Sequence, residues 1–224
     1  MHHGHVHAAQ GQAIGRFEAE QAGADGLLVV TPYYSKPPQD ALLAHFTAVA
    51  DATQLPVMLY DIPHRSGVPI ETATLIELAA HPRIVAVKDA KGLVVASSTV
   101  IAATELAYYS GDDAFTLPLL SVGGVGVVGT STHFTGARTK TMIEKFLAGD
   151  LAGAIADNAA LLPVFTGVFA TQGCMLVKAG LEELPPLLFT GLRFLMQFFC
   201  ELRYTRQDCA FTQDKKRRFR EQAQ

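Results

Sequence analysis

Five short apolar segments recur along the first two-thirds of the chain. Each has four to six residues, is rich in Val, Leu or Ile, and lacks the alternation of apolar and polar positions; they are residues 26–31, 57–61, 84–89, 106–109 and 125–130. A continuous apolar segment of this length is typical of a strand that is buried on both faces. The pattern therefore predicts five strands of a parallel sheet.

Segments with helical character lie between and after these strands. They are residues 40–53, 71–81, 94–104, 116–122 and 136–148, and residues 13–24 form the end of an earlier helix. Strands that alternate with helices predict repeated βα units, so residues 13–148 are expected to form one α/β body. Two further helices, at 150–169 and 174–180, place a helical region over residues 149–181.

The two ends differ in composition from this body. Residues 1–12 hold four of the eight histidines, which could bind a metal ion, but a metal site needs a fold to fix its geometry, and we expect a disordered start. Residues 182–224 form a divergent tail with a basic cluster at 215–220. That cluster could contact RNA or an anionic lipid, but a solvated tail is the simpler interpretation.

Composition excludes several classes of protein. Apolar residues make up 49% of the chain and charged residues 17%, which favours a large core over disorder. A net charge of −3 gives no electrostatic reason to expect nucleic acid or a membrane as a partner. Three cysteines without metal-type spacing indicate a reducing compartment. Because no apolar segment approaches the roughly 18–20 residues of a membrane span, and no signal peptide is evident, we expect a cytoplasmic protein.

Lys88 is the strongest candidate for a catalytic residue, because it lies inside the third apolar segment. An amine in an apolar strand is desolvated, which favours its neutral form, and a neutral amine can attack a ketone to form a Schiff base. The alternative is a lysine that reaches outward to solvent or forms an ion pair with Asp89.

Three other polar residues follow the predicted strands, where parallel α/β folds collect their reactive groups. Tyr60 and Tyr34 could exchange protons with a Schiff base, and Arg65 could bind a substrate carboxylate. Taken singly, each tyrosine is as readily a packing residue and the arginine an exposed one. Together with Lys88 they would supply an amine, a proton relay and a carboxylate clamp to one pocket.

Five motifs give the chain a resemblance to a known family. They are TPYY (31–34), YDIPHRSG (60–67), IVAVKDAKG (84–92), SGDD (110–113) and GGVGVV (123–128). In order and in spacing they resemble those of dihydrodipicolinate synthases and, more broadly, of the pyruvate-dependent class I aldolases and lyases. The resemblance runs from about residue 13 to residue 181.

The resemblance implies a role for six residues. Lys88 matches the lysine that forms an imine with pyruvate, Tyr60 the tyrosine that relays protons to it, and Tyr34 a second relay tyrosine that reaches a neighbouring subunit. The substrate-binding positions that it implies are Arg65 at the pocket mouth, Val128 through its backbone carbonyl, and Gly111 in a lining loop.

The implied reaction condenses pyruvate with aspartate semialdehyde on the way to diaminopimelate and lysine, with no cofactor and no metal, in a homo-oligomer. Two alternatives stay open, namely another aldolase of the family, such as an N-acetylneuraminate lyase or a keto-deoxy sugar acid aldolase, and a non-catalytic remnant. Asp61 stands where asparagine is more usual in the family.

One departure from the family concerns its size. The family fold is a (β/α)₈ TIM barrel, whereas only five βα units are predicted here. The first three units, with the glycine-threonine-threonine-glycine stretch that holds the relay threonine, have no counterpart. We therefore expect an N-terminally incomplete barrel with impaired activity, as in a truncated gene product.

Overall fold

The computed structural model describes residues 23–182, and these contain one sheet of five parallel strands. The strands are β1 (Leu27–Val30), β2 (Val57–Asp61), β3 (Ile84–Asp89), β4 (Ala107–Ser110) and β5 (Gly126–Val127). Their order in the sheet is their order in the chain. All five predicted strands are therefore confirmed, and β5 is shorter than its apolar segment suggested.

Helices alternate with the strands, as the pattern predicted. They are α1 (Gln39–Asp51), α2 (Pro63–Ser66), α3 (Thr72–Leu78), α4 (Val94–Ala103), a 3₁₀ turn (Asp113–Phe115), α5 (Thr116–Leu120), α6 (Thr132–Leu147), α7 (Leu151–Gly167) and α8 (Gly173–Glu182). The predictions for residues 1–22 and for the tail after Glu182 lie outside the described residues.

The sequence prediction misplaced the start of one helix and missed another. Helix α6 begins at Thr132, earlier than the predicted start at Gly136. Threonine and glycine are weak helix formers, but here the buried Thr135 hydroxyl donates to the Ser131 carbonyl at 3.0 Å, so the first turn is stabilised by local bonds that propensity does not count. The short helix α2 was not predicted at all.

One face of the sheet packs against the helices. Leu59, Val87 and Tyr108 project from neighbouring strands into a cluster with Phe46 of α1 and Leu75 of α3, and all five are at most 1% exposed. Burying each such side chain contributes about 1.5–3 kcal/mol to folding. This outer layer fixes the sheet on which the candidate site is built.

The opposite face corresponds to a barrel interior. Met58, Ala86, Ala107 and Val128 form a separate buried cluster there. Because side chains alternate along a strand, the residues two positions further on point to the same side. Tyr60 and Lys88 therefore lie on the interior face, one step beyond this layer towards the carboxyl ends of the strands.

Candidate active site

Tyr60 and Lys88 form the centre of the candidate site. They are register partners on β2 and β3, so their side chains leave adjacent strands at the same level. The Lys88 Nζ lies 4.0 Å from the centroid of the Tyr60 ring. Lys88 is 6% exposed, whereas Tyr60 is partly buried. The structure thus brings together the predicted amine and the predicted proton relay.

Gly111 lies against the Lys88 side chain. A Cβ atom at position 111 would stand 3.1 Å from Lys88 Cγ and 3.0 Å from Ala90 Cβ. Both distances are shorter than an ordinary carbon–carbon contact of about 3.5–4.0 Å. The absence of a side chain at 111 is therefore what allows the chain after β4 to approach the lysine stem.

Backbone hydrogen bonds continue the sheet beyond the ends of the strands. They run from Thr31 N to Tyr60 O (3.2 Å), Ala90 N to Asp61 O (2.8 Å), Gly111 N to Asp89 O (2.7 Å) and Val128 N to Ser110 O (2.8 Å). These bonds hold the segments that directly follow the strands, which carry the candidate site residues, next to one another.

The turn after Val128 is held by a buried carboxylate, Asp113, to which the sequence analysis gave no role although it belongs to the SGDD motif. Asp113 is 1% exposed; it accepts hydrogen bonds from the amides of Thr130 (3.0 Å) and Ser131 (3.2 Å) and from the Ser131 hydroxyl (2.7 Å). These bonds fix the turn that directly follows Val128, whose own side chain is 5% exposed.

Tyr34 and Arg65 lie on exposed loops. Tyr34 is 95% exposed in the β1–α1 loop, and Arg65 is exposed on α2. The two loops meet, because a Cβ at Gly67 would stand 2.6 Å from Lys36 Cε. Gly67 has a φ of 77° and ends α2, a backbone conformation that glycine adopts without strain. The structure places both residues near the carboxyl edge of the sheet without burying either of them.

A buried ionic network, which sequence reasoning missed, lies on the helix-facing side of the same strand ends. The Lys91 Nζ is 2.7 Å from Asp61 Oδ2, and the two side chains are 5% and 0% exposed. Asp89, offered above as an ion-pair partner of Lys88, accepts hydrogen bonds from the Ser97 hydroxyl (2.6 Å) and the Lys91 amide (2.8 Å). The unusual aspartate at position 61 was the one available signal of this network.

Burial dominates the electrostatics of this network. Desolvation raises the pKa of Asp61, and the attraction of Lys91 offsets that rise only in part. Burial also raises the pKa of the Tyr108 hydroxyl, and the negative charges of Asp89 and Asp61 add to the effect. Two carboxyl groups therefore lie beneath the candidate site, Asp61 against the Lys91 ammonium group and Asp89 against the Lys91 amide.

No group of three or more His, Cys, Asp or Glu side chains with metal-ligand geometry occurs within residues 23–182. The His-rich segment 1–12 is outside that range. In the same part of the chain, none of the helices has both the length and the apolar character required to cross a membrane.

Comparison with known proteins places this site in a family. Residues 5–185 match the sequence model of the Dihydrodipicolinate synthetase family. The chain belongs to this family. A curated relative, the 4-hydroxy-tetrahydrodipicolinate synthase of Cutibacterium acnes, is 68% identical over 166 residues, which are 74% of this chain and 57% of the relative. The chain therefore spans little more than half the length of that relative.

Solved structures of dihydrodipicolinate synthases share the fold. The enzyme of Cyanidioschyzon merolae, solved with lysine bound, superposes with a TM-score of 0.75 at 34% identity, covering 94% of this chain and 69% of that one. The enzyme of Acinetobacter baumannii, solved as a complex with pyruvate, gives a TM-score of 0.74 at 28% identity, covering 92% and 70%. The described sheet is thus five βα units of a TIM barrel, as the resemblance implied.

Proposed function

We propose that this chain carries the catalytic part of a pyruvate-dependent class I lyase, in which Lys88 forms an imine with pyruvate. The observation that supports the proposal best is the buried Lys88 amine 4.0 Å from the centre of the Tyr60 ring, at the carboxyl ends of adjacent parallel strands. The proposed reaction condenses pyruvate with aspartate semialdehyde to 4-hydroxy-tetrahydrodipicolinate, the product in the name of the Cutibacterium acnes relative.

The chemistry begins at the Lys88 nitrogen. The neutral amine attacks the ketone carbon of pyruvate, a proton passes from nitrogen to the former carbonyl oxygen, and water leaves to give the imine. The methyl group then loses a proton while the imine nitrogen gains one, which gives an enamine. Its terminal carbon attacks the aldehyde carbon of the second substrate, whose oxygen takes up a proton, and the imine forms again. The amino group of that substrate finally attacks the imine carbon, and the Lys88 amine leaves as the ring closes. Each step needs a group that donates and accepts protons beside the nitrogen, and we assign this role to the Tyr60 phenol, whose ring lies against the amine.

Tyr34 is proposed as the second relay tyrosine, acting in the site of a neighbouring copy. Its 95% exposure supports this role, since an exposed aromatic side chain beside the site edge is available to a second subunit. The proposal therefore includes a homo-oligomer as the active form, with no nucleic acid or membrane as a partner and a cytoplasmic location.

Arg65 is proposed to bind the carboxylate of aspartate semialdehyde. Guanidinium groups match carboxylates with two parallel hydrogen bonds, and the exposed position on α2 leaves Arg65 free to meet an entering substrate. Val128 and Gly111 are proposed to line the pyruvate side of the pocket, the first through its backbone carbonyl. The amine supplies the covalent chemistry, and we propose that no metal or other cofactor takes part.

Borohydride trapping tests the proposal directly. Incubation of the 224-residue chain with pyruvate and borohydride should add one pyruvate-derived mass, located at Lys88 by peptide mass spectrometry. The Lys88→Ala variant should show no such addition, whereas a Lys140→Ala variant, which removes an exposed lysine of α6, should be labelled normally. Labelling that persists in Lys88→Ala would refute the assignment.

A second arm addresses the size of the chain. We expect the 224-residue chain to be impaired, and a fusion with the first three βα units of the Cutibacterium acnes relative to condense the two substrates faster by orders of magnitude. Equal kcat values for the two proteins would contradict this expectation. Imine formation without condensation in the fusion would indicate another aldolase of the family.

A further inference from the structure

A buried ionic network lies directly behind the candidate catalytic residues. Asp61 follows Tyr60 on β2, and Asp89 follows Lys88 on β3. Tyr60 is the register partner of Lys88, and Asp61 is the register partner of Asp89. Since consecutive side chains point to opposite faces of a sheet, the two carboxylates lie on the helix-facing side when the tyrosine and the lysine face the interior. Any shift of the network therefore moves the backbone that carries Tyr60 and Lys88.

Lys91 joins the separate parts of this network. Its Nζ is 2.7 Å from Asp61 Oδ2 and donates to the Ile70 carbonyl at 2.9 Å, and its amide donates to Asp89 Oδ1 at 2.8 Å. Ile70 in turn donates its amide to Asp61 Oδ1 at 3.1 Å. The side chain of Lys91 thus connects the end of β2 with the segment that returns from α2, and its backbone amide connects both with the end of β3.

The loop that carries Arg65 is closed by the same contacts. Asp61 and Ile70 bound the segment that contains α2, and the two bonds to Ile70 hold its ends together. Inside the loop, the Ser66 hydroxyl donates to the carbonyls of Ile62 (3.1 Å) and Val68 (2.8 Å). The network therefore sets the base of the loop as well as the two strand ends.

Ionic groups at this depth are a poor choice for stability alone. Transferring a lysine and a carboxylate from water into the interior costs more free energy than burying apolar side chains of the same volume. A buried ion pair therefore often contributes little net stability. What such a pair does provide is a fixed geometry, because each charged group accepts only a few arrangements of partners. Its location behind the reacting groups suggests where that geometry is used.

We propose that Lys91 and Asp61, with Asp89, are positioning residues that hold Tyr60, Lys88 and the Arg65 loop in their relative places. The inference rests on the proposed function, because it assigns a catalytic role to Tyr60 and Lys88. The two carboxyl groups of the network lie on the face of the strands opposite to Tyr60 and Lys88. The network acts through the backbone of the two strands and of the loop.

The test replaces the ion pair by neutral side chains of similar size in an Asp61→Asn/Lys91→Gln variant. Its matched control is Lys145→Gln/Asp157→Asn, which removes another 2.7 Å ion pair, between α6 and α7 and away from the sheet edge. We expect both variants to fold with similar melting temperatures. The rate of pyruvate trapping at Lys88 should fall at least about tenfold in the network variant only, since a displacement of about 1 Å costs up to two orders of magnitude.

A second measurement does not depend on imine formation. Reductive methylation of Lys88 with formaldehyde and cyanoborohydride, followed by peptide mass spectrometry, reports how well the amine is held and shielded. It should become at least about threefold faster in the network variant, because a loosened side chain is less shielded. The exposed Lys140 and Lys178 of the same protein should react at unchanged rates.

The outcomes separate the two proposals. If wild-type protein forms no imine at Lys88, the proposed function fails, and the methylation rates still decide on positioning. If the folded network variant matches wild type in both trapping and methylation, the positioning role is refuted. If it does not fold, Ser97→Ala replaces it, with Thr99→Ala on the same helix as control. Equal Lys88 reactivity in those two variants would also overturn the proposal.

Discussion

Gly111→Ala is the substitution whose effect the structure predicts most directly. The new methyl group would stand 3.1 Å from Lys88 Cγ, 3.0 Å from Ala90 Cβ and 3.2 Å from the Ala90 amide nitrogen. A relaxed carbon–carbon contact of about 3.5–4.0 Å requires the lysine stem to move by roughly 0.4–0.9 Å. The backbone nitrogen and the Cβ of Ala90 are tied to the sheet, so the backbone at position 111 and the lysine stem must both shift.

The expected magnitude follows from this displacement. Productive catalytic geometry tolerates shifts of only about 0.5 Å, and a misplacement of about 1 Å costs up to two orders of magnitude in rate. We therefore expect pyruvate trapping at Lys88 to slow by about 10- to 100-fold. Overpacking should also lower the free energy of unfolding by about 1–3 kcal/mol.

The assay measures the rate of borohydride trapping at saturating pyruvate, with the unfolding free energy from urea titration. Gly136→Ala is the control, because no atom lies within 4 Å of a Cβ built at that position in α6. It should stabilise the protein by roughly 0.5–1 kcal/mol, as expected for Gly→Ala inside a helix, without changing the trapping rate. If Gly111→Ala traps pyruvate as fast as Gly136→Ala, the contact with Lys88 does not constrain the amine.

Three further predictions concern single residues. Arg65→Ala in the fusion should raise KM for aspartate semialdehyde and leave trapping intact, because Arg65 is exposed on α2 and not on the strand that carries the amine; an equal loss of both would contradict the proposed role in carboxylate binding. Asp113→Ala should lower the free energy of unfolding by about 2–4 kcal/mol in urea titration, since two backbone amides lose their acceptor; a loss below about 0.5 kcal/mol would contradict this. Asp61→Asn should change the pH dependence of unfolding. The pKa of Asp61, which interacts with Asp89, Lys91 and Tyr108, is raised in the folded state. Wild type should therefore gain stability relative to the variant as the pH falls through that raised pKa towards 3.8. A difference in unfolding free energy that is independent of pH would refute the raised pKa.

The strands were predictable because both of their faces are buried. A strand between an inner cluster and a helix layer is apolar over most of its length, so β2 and β3 appear in the sequence as apolar segments that end in polar residues, and they were located to the residue. Helix α2 was not predictable from periodicity, since its four residues make barely one turn. Its bounds are set by Pro63 at the first position and by Gly67 at the end.

The candidate site could be predicted only in part. The order of the strands places the carboxyl ends of β2 and β3 side by side, so the proximity of Tyr60 and Lys88 follows once the register is known. The pair of Asp61 with Lys91 could not be inferred in this way, because it forms on the opposite face and depends on the path of the segment through Ile70. Loop geometry of this kind has no periodic signature in the sequence.

The order of the strands also bears on how the protein reaches its native state. Each strand pairs with the strand that precedes or follows it in the chain, so register partners lie between 17 residues (Tyr109 and Gly126) and 30 residues (Leu27 and Val57) apart. Pairing between parallel strands is slow because the segment between them must close first, and pairing successive strands keeps that segment as short as a βα unit allows. The pairing of β2 with β3 can thus form as soon as both have left the ribosome, before β5 is synthesised. The lysine and the tyrosine would then meet early in folding, and the later units would complete the walls around them.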